Sequence, residues 1–253
     1  MDWTLIFWTL LLLIPLLWLV RQVHHGLQEL FFLLTAHKTV AIYLFQILLL
    51  PGVILHEFSH YLTARLLGVR VRKVSLQPVV QGDKIQMGAV VIDRADFIRG
   101  LLIGLAPLVL GSIAVVLIGQ QVFDVSKVID AARAGDSRGL IEAIRTAFGV
   151  NDAWIWLYLI FAISNAMLPS ESDRESLWPV VAFITLIAIV AVVAGWGADL
   201  ISSLAAPAET ALSLLLVAFG ITLFVDALFF GVIVLLRESI SLLTGRRLEK
   251  EGR

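Results

Sequence analysis

The sequence contains no cysteine and few charged residues. Without cysteine there are no disulfide bonds and no thiolate metal ligands, so any bound metal ion must be held by nitrogen and oxygen atoms. Charged residues make up 15% of the chain, against about 25% in a typical soluble domain. The formal net charge is −1 and the basic residues do not cluster, so we expect no nucleic-acid partner.

Apolar residues dominate instead, at 59% of the chain, and the mean hydropathy is +0.94. This composition predicts an all-α polytopic membrane protein that forms a single integral membrane domain over residues 1–253. Six candidate spans have lengths near the ~20 residues that a bilayer crossing requires. They are residues 3–20, 40–66, 100–119, 153–169, 178–198 and 209–236. The first begins with Asp2 and lacks a small-residue cleavage site, so we expect a retained helix, not a signal peptide.

Three further segments do not fit a bilayer crossing. Residues 69–92 are rich in β-branched residues and are interrupted at Pro78 and at residues 81–83, which predicts a small β-hairpin between the second and third spans. Residues 120–152 form a polar insertion with helical periodicity. Residues 25–37 are amphipathic and are expected to lie at the membrane interface.

The distribution of Lys and Arg predicts an orientation for these spans. With six crossings, one side receives residues 65–99, Arg174 and the C-terminal tail, which together carry thirteen Lys and Arg residues. The other side receives residues 21–39 and 120–152, which carry six. Because cytoplasmic loops are enriched in Lys and Arg, we expect the N-terminus, the hairpin and the tail in the cytoplasm.

The sequence HEFSH at residues 56–60 lies inside the second span. Two histidines four residues apart share one face of a helix, about 5.4 Å apart along its axis, so both imidazoles can bind one metal ion. Glu57 lies where it can accept a proton from a water bound to that metal. Ionisable groups are costly in an apolar span and are rarely without a function. The motif therefore predicts zinc-dependent hydrolysis within the membrane.

A catalytic zinc ion usually has a third protein ligand. The end of the fourth span lies on the same membrane side as the end of the second, because each crossing reverses the chain. There Pro169 ends the apolar stretch and is followed by Glu171, Asp173 and Glu175. Any of these carboxylates is a candidate ligand.

HEFSH in a membrane span, followed by Asn165 and by Asp173 eight residues later, resembles the site-2 protease family of intramembrane zinc metalloproteases. The resemblance covers about residues 40–175 and leaves residues 1–39 and 178–253 as additional helices. Residues 69–92 are similar to the β-hairpin that this family places beside its active site, and residues 104–107 to its Gly-Pro element. Arg174 stands where the family has a glycine after the ligand aspartate.

The resemblance implies one zinc ion per chain, with His56, His60 and Asp173 as ligands. It assigns Glu57 as the general base and Asn165 as a residue that orients the substrate, although a hydrogen bond between helices or a helix cap is an alternative role for Asn165. It further implies a transmembrane protein or peptide as substrate. A compact membrane protein of this kind suits the prokaryotic cytoplasmic membrane, with the active site toward the cytoplasm.

Two other functions are compatible with parts of the sequence. A zinc-containing membrane protein without proteolytic activity would serve as an assembly subunit or act on a non-peptide substrate. A transporter with a metal site would need repeated halves with matching broken helices, and the sequence has no such repeat. Asp226 lies in the middle of the last span, where it either bonds to a neighbouring helix or lines a water path.

Overall fold

The computed structural model describes residues 2–81, 84–168 and 195–244, together with Leu186, Val190 and Val193. Within these residues the protein is mostly helical and includes a small antiparallel β-hairpin between its second and third helices, as the sequence predicted. In chain order the described elements are α1 (Trp3–Thr35), α2 (Lys38–Leu66), β1 (Val71–Ser75), β2 (Val79–Gln81), β3 (Lys84–Gln86), β4 (Ala89–Ile92), α3 (Phe97–Gln121), α4 (Val125–Arg133), α5 (Ser137–Phe148), α6 (Ala153–Met167) and α7 (Gly197–Thr244).

Several of these helices are consistent with a multi-pass membrane protein. Four are long and apolar enough to cross a bilayer: α1, α2, α3 and most of α7. Helices α5 and α6 meet at a bend of 91° and add a fifth crossing if they are counted as one broken span. Six spans are therefore not confirmed. The predicted span at 178–198 falls almost entirely outside the described residues.

The N-terminal part of the chain differs from the expectation. Residues 25–35 do not form a separate interfacial helix but continue α1, which runs unbroken from Trp3 to Thr35. Leu27, Leu30 and Leu33 are buried along this part of the helix. The apolar face that suggested a membrane surface packs against other helices instead.

Helices α1 and α7 run in the same direction. At one end, the backbone N–H of Asp2 donates to the Glu209 carboxylate at 2.7 Å. At the other end, the Arg237 guanidinium bonds the Glu29 carboxylate at 2.8 Å. Six consecutive crossings would make the first and last spans antiparallel, so this part of the predicted topology is wrong. The end of α7 lies on the side of the α1–α2 connection, opposite the end at which the hairpin begins.

This pairing removes the charge argument for the orientation. The count that favoured a cytoplasmic hairpin placed the C-terminal positive residues on the hairpin side. With the end of α7 on the opposite side, that side has eleven Lys and Arg residues and the hairpin side has eight, a difference too small to assign an orientation.

Helix ends follow local sequence signals. The side chains of Asp2 and Asp96 accept hydrogen bonds from the first free N–H groups of α1 and α3, as N-caps do. Gly68 has a positive φ of 71° and turns the chain out of α2 toward the hairpin. Helix α6 ends at Met167 because Leu168 precedes Pro169 and is extended (φ −69°, ψ 140°).

The hairpin consists of two short paired segments. Strand β1 pairs with β4, with Ser75 opposite Ala89 and an irregularity between Val71 and Lys73. Strand β2 pairs with β3 nearer the tip. Where the ladder is interrupted, the buried amide of Gln46 on α2 donates to the carbonyls of Leu76 and Met87.

The contacts of Gln46 fix the position of the hairpin. Gln46 precedes the end of α2 by 20 residues, about 30 Å along the helix axis. The hairpin therefore runs back along α2 and is not confined to the end of that helix. Non-helical backbone at such a depth is tolerated only where protein or water meets its polar groups.

The main core lies where α1, α2, α3, α6 and α7 meet. Its fully buried side chains interdigitate around the last turns of α6, close to the middle of α2. They include Val23, Phe45, Leu49, Val115, Ile160, Phe161 and Val225. This packing fixes the position of α2, which carries the HEFSH motif, and of α3 and α6, which lie beside the motif.

Candidate metal centre and active site

His56 and His60 face each other on one side of α2, as their spacing predicts. Their Nε2 atoms are 3.1 Å apart and their ring centroids are 4.7 Å apart. Nδ1 of His56 lies 2.6 Å from the carbonyl oxygen of Ala166, and Nδ1 of His60 lies 2.8 Å from that of Ile103. A carbonyl oxygen can only accept, so both Nδ1 atoms donate, and each Nε2 presents a lone pair when its imidazole is neutral.

This arrangement fits a shared metal ion. Two lone pairs that face each other across 3.1 Å repel unless a cation lies between them. In tetrahedral zinc coordination, Zn–N distances of 2.0–2.1 Å place two ligand nitrogens about 3.3–3.4 Å apart. Histidines that bind metals also commonly donate their second ring N–H to a carbonyl, which fixes the tautomer. Both histidines meet these requirements, although a proton shared by the pair would also relieve the repulsion.

The end of α6 holds the first histidine. Asn165 and Ala166 lie in its last turn, where carbonyl groups have no helical N–H partner. His24 of α1 bonds the Asn165 carbonyl at 3.2 Å, and His56 bonds that of Ala166. The negative end of the α6 dipole therefore points toward the imidazoles of His24 and His56. This favours a cation nearby.

A close contact between helices brings α6 to this position. A Cβ atom added at Gly52 would lie 1.8 Å from the Ala162 carbonyl oxygen. Only glycine allows the backbones of α2 and α6 to approach this closely, as small residues do at membrane helix interfaces. Gly52 lies one turn before His56, so the same contact sets the distance from His56 to Ala166.

Glu57 lies beneath the hairpin and is only 6% exposed. A Cβ atom added at Gly88, between β3 and β4, would lie 2.5 Å from Oε1 of Glu57 and 2.7 Å from its Cγ. Backbone of the hairpin thus rests directly on the carboxylate that the sequence predicts to be the general base. Shielding from bulk water strengthens the electrostatic interactions of that carboxylate.

Asn165 is buried and makes hydrogen bonds inside the protein. Its amide nitrogen donates to the Phe161 carbonyl at 2.9 Å and to Oδ1 of Asp226 at 3.0 Å. Ser164 donates to the same Asp226 oxygen at 2.9 Å. The hydrogen bond between helices that was an alternative role for Asn165 is therefore present, to Asp226, and the other amide hydrogen bonds within α6.

Asp173, the predicted third ligand, lies outside the described residues, as do Glu171 and Glu175. Among the residues that the structure does describe, no group of three or more His, Cys, Asp or Glu side chains could hold a metal ion. The chain leaves α6 at Leu168, two residues after the Ala166 carbonyl that binds His56. Asp173 follows Leu168 by five residues in the sequence.

Several residues around the site were not assigned from the sequence. Gln46 fastens the hairpin, Gly88 covers Glu57, and Asp226 joins α7 to the end of α6. Polar residues inside apolar spans were the available signal for Gln46, Ser164 and His24. No sequence signal distinguishes Gly88 from the other glycines, because its role depends on a contact between distant segments.

The comparisons with known proteins do not assign a family. No family model matches the chain, no curated protein is significantly similar to it, and no solved structure shares significant similarity with its fold.

Proposed function

We propose that this protein is an intramembrane zinc metalloprotease of the site-2 type, which hydrolyses peptide bonds of membrane-embedded substrates. His56, His60 and Asp173 would hold one zinc ion, and Glu57 would act as the general base. The observation that carries the proposal is the pair of histidine Nε2 atoms that face each other 3.1 Å apart, next to a buried carboxylate.

Hydrolysis of a peptide bond needs a Lewis acid and a general base, and these groups would provide both. When bound, zinc supplies a Lewis acid that polarises a carbonyl group and makes a water more acidic. Glu57 accepts the proton of the attacking water and delivers it to the leaving amine. Contact with Gly88 holds the Glu57 carboxylate in one place, so less reorganisation is required when the proton moves.

The hairpin supports a peptide as the substrate. A peptide bond within a helix is shielded, so a substrate helix must unwind before hydrolysis. Strand edges of β1 or β4 could hold the unwound segment by backbone pairing. Gln46 and Gly88 hold the hairpin against α2, close to Glu57.

Asn165 has a narrower role in this proposal than a direct hydrogen bond to the substrate. Since both of its amide hydrogens bond within the protein, it orders the last turn of α6. That turn supplies the carbonyl for His56 and leads into the segment that contains Asp173.

The alternative is a zinc protein without proteolytic activity. The histidine geometry supports a metal equally well in both cases, so Glu57 is the residue that distinguishes them. A metal-binding protein tolerates Glu57→Gln, whereas general-base catalysis does not.

The test compares wild type, Glu57→Gln and Asp173→Ala in native membranes. Zinc content is measured on the purified proteins, and cleavage fragments are identified in the membrane proteome. We expect one zinc per chain in wild type and in Glu57→Gln, and fragments only in wild type. Asp173→Ala should lose most of its zinc, while Glu171→Ala and Glu175→Ala keep it.

The outcomes separate the parts of the proposal. Identical fragment patterns in wild type and Glu57→Gln would leave a metal protein without proteolysis. Wild-type protein that binds no zinc would refute the metal site. Loss of zinc from Glu171→Ala or Glu175→Ala, but not from Asp173→Ala, would reassign the third ligand.

A further inference from the structure

Pro107 lies inside α3, four residues after Ile103, and both residues are buried. In a regular helix the N–H of residue 107 would donate to the carbonyl of residue 103. Proline has no N–H, and its ring crowds the carbonyl four residues earlier. The carbonyl of Ile103 therefore lacks its helical donor.

His60 supplies the missing donor. Its Nδ1 lies 2.8 Å from the Ile103 oxygen, and the side chain of His60 is 7% exposed. A buried carbonyl without a hydrogen bond is costly, and so is a buried imidazole N–H. Each group satisfies the other, and the contact fixes which His60 nitrogen carries the proton.

We propose that Pro107 is a positioning residue for the metal site: by leaving the Ile103 carbonyl without a helical partner, it orients His60 so that Nε2 faces His56. This inference rests on the proposed metal site. The same principle operates at His56, whose partner, the Ala166 carbonyl, lacks a helical donor because α6 ends there. Both histidines are thus held by carbonyls that their helices leave unpaired, one at a helix end and one at a proline.

Pro107→Ala is the direct test, because alanine restores an N–H that competes with His60 for the Ile103 carbonyl. We expect the zinc dissociation constant to rise about tenfold, at the lower end of the range for residues that orient metal ligands. The visible spectrum of the Co²⁺-substituted protein should change, since it reports the geometry of the ligands. Thermal unfolding of the zinc-free protein should not show a comparable loss of stability, because proline disfavours a helix interior.

Pro15→Ala is the matched control. Pro15 also lies inside a helix, α1, but its side chain is exposed. This variant should keep the wild-type zinc affinity and Co²⁺ spectrum. Equal losses of zinc affinity in both variants would show a general effect of removing a helix proline and overturn the proposal.

A second measurement covers the case in which Pro107→Ala does not fold. In the zinc-free wild-type protein, ¹⁵N chemical shifts of His60 should report a protonated Nδ1. An Nε2-protonated His60 would overturn the inference, as would unchanged zinc affinity and an unchanged Co²⁺ spectrum in a folded Pro107→Ala protein. Wild-type protein that binds no zinc but shows the Nδ1 tautomer would refute the metal site and leave the Pro107–His60 contact standing.

Discussion

At the scale of single residues, Gly88 is the position where one added carbon atom would meet the proposed general base. The added Cβ would lie within 2.8 Å of three atoms of the Glu57 side chain. Backbone at Gly88 is held by its neighbour Met87, whose carbonyl accepts from Gln46. The Glu57 carboxylate, the more flexible partner, would therefore have to move.

Gly88→Ala should lower turnover roughly 10–100-fold, because general-base catalysis depends on the placement of the base and contributes about 10²–10⁴-fold in total. Zinc content should stay at the wild-type level, since the variant does not touch His56 or His60. Turnover of a cleaved substrate and bound zinc are measured on the same preparations. In the control Gly100→Ala, the added Cβ meets no atom within 4 Å, and full activity is expected. Wild-type turnover in Gly88→Ala would argue against Glu57 as the base.

His56 and His60 could be predicted from the sequence because a spacing of four residues places them on one helix face, and Glu57 because it lies between them in the same motif. The partners of their side chains could not. The carbonyls of Ala166 and Ile103 belong to the backbone of distant segments, and any residue type carries a carbonyl.

At the scale of elements, the contact between α2 and α6 decides whether the site can form. Gly52 meets Ala162 and Ala166 across this interface. The Ala166 carbonyl is also the partner of His56. The distance between these two helices therefore controls both their packing and the orientation of His56, a proposed metal ligand.

Gly52→Ala should force the helices apart, because a Cβ atom 1.8 Å from a backbone oxygen has no room. Overpacking of this kind costs about 1–3 kcal/mol, and zinc affinity should fall as well because the Ala166 carbonyl moves away from His56. Denaturant unfolding in detergent and zinc competition with a chelator measure the two effects. A Cβ added at Gly231 of α7 meets nothing within 4 Å, so Gly231→Ala should leave both unchanged. Unaltered stability in Gly52→Ala would contradict the close approach of the two helices.

The hairpin was predictable as an element but not in its position. Its β-branched residues and the break at residues 81–83 indicated two strands, and the strands pair as expected. Its location along α2 depends on Gln46. Nothing in the strand pattern indicates which helix residue donates hydrogen bonds to the carbonyls of Leu76 and Met87.

At the scale of the whole molecule, the parallel pairing of α1 and α7 sets the topology. Buried polar contacts join the same region: Asp226 of α7 bonds Ser164 and Asn165 of α6, and His24 of α1 bonds the Asn165 carbonyl. A carboxylate inside a membrane domain is tolerated where neighbouring helices supply donors of this kind.

Cysteine labelling tests this topology without background, because the chain has no native cysteine. Arg94→Cys and Ala134→Cys lie at exposed positions on either side of α3, and Leu243→Cys lies near the end of α7. A membrane-impermeant maleimide should label Leu243→Cys and Ala134→Cys from the same side and Arg94→Cys from the other. Labelling of Leu243→Cys and Arg94→Cys from the same side would contradict the parallel pairing and support six spans. The side that carries Arg94 also gives the orientation of the hairpin, which the charges leave open.

The sequence by itself determined the membrane character, the hairpin and the histidine pair with its glutamate. These depend on composition and on spacing along one element, and both are local properties. Only the tertiary structure decided which backbone carbonyls orient the histidines, which glycine covers Glu57 and in which direction the last helix runs. These features depend on contacts between segments far apart in the chain, where close approach is set by the packing of whole helices.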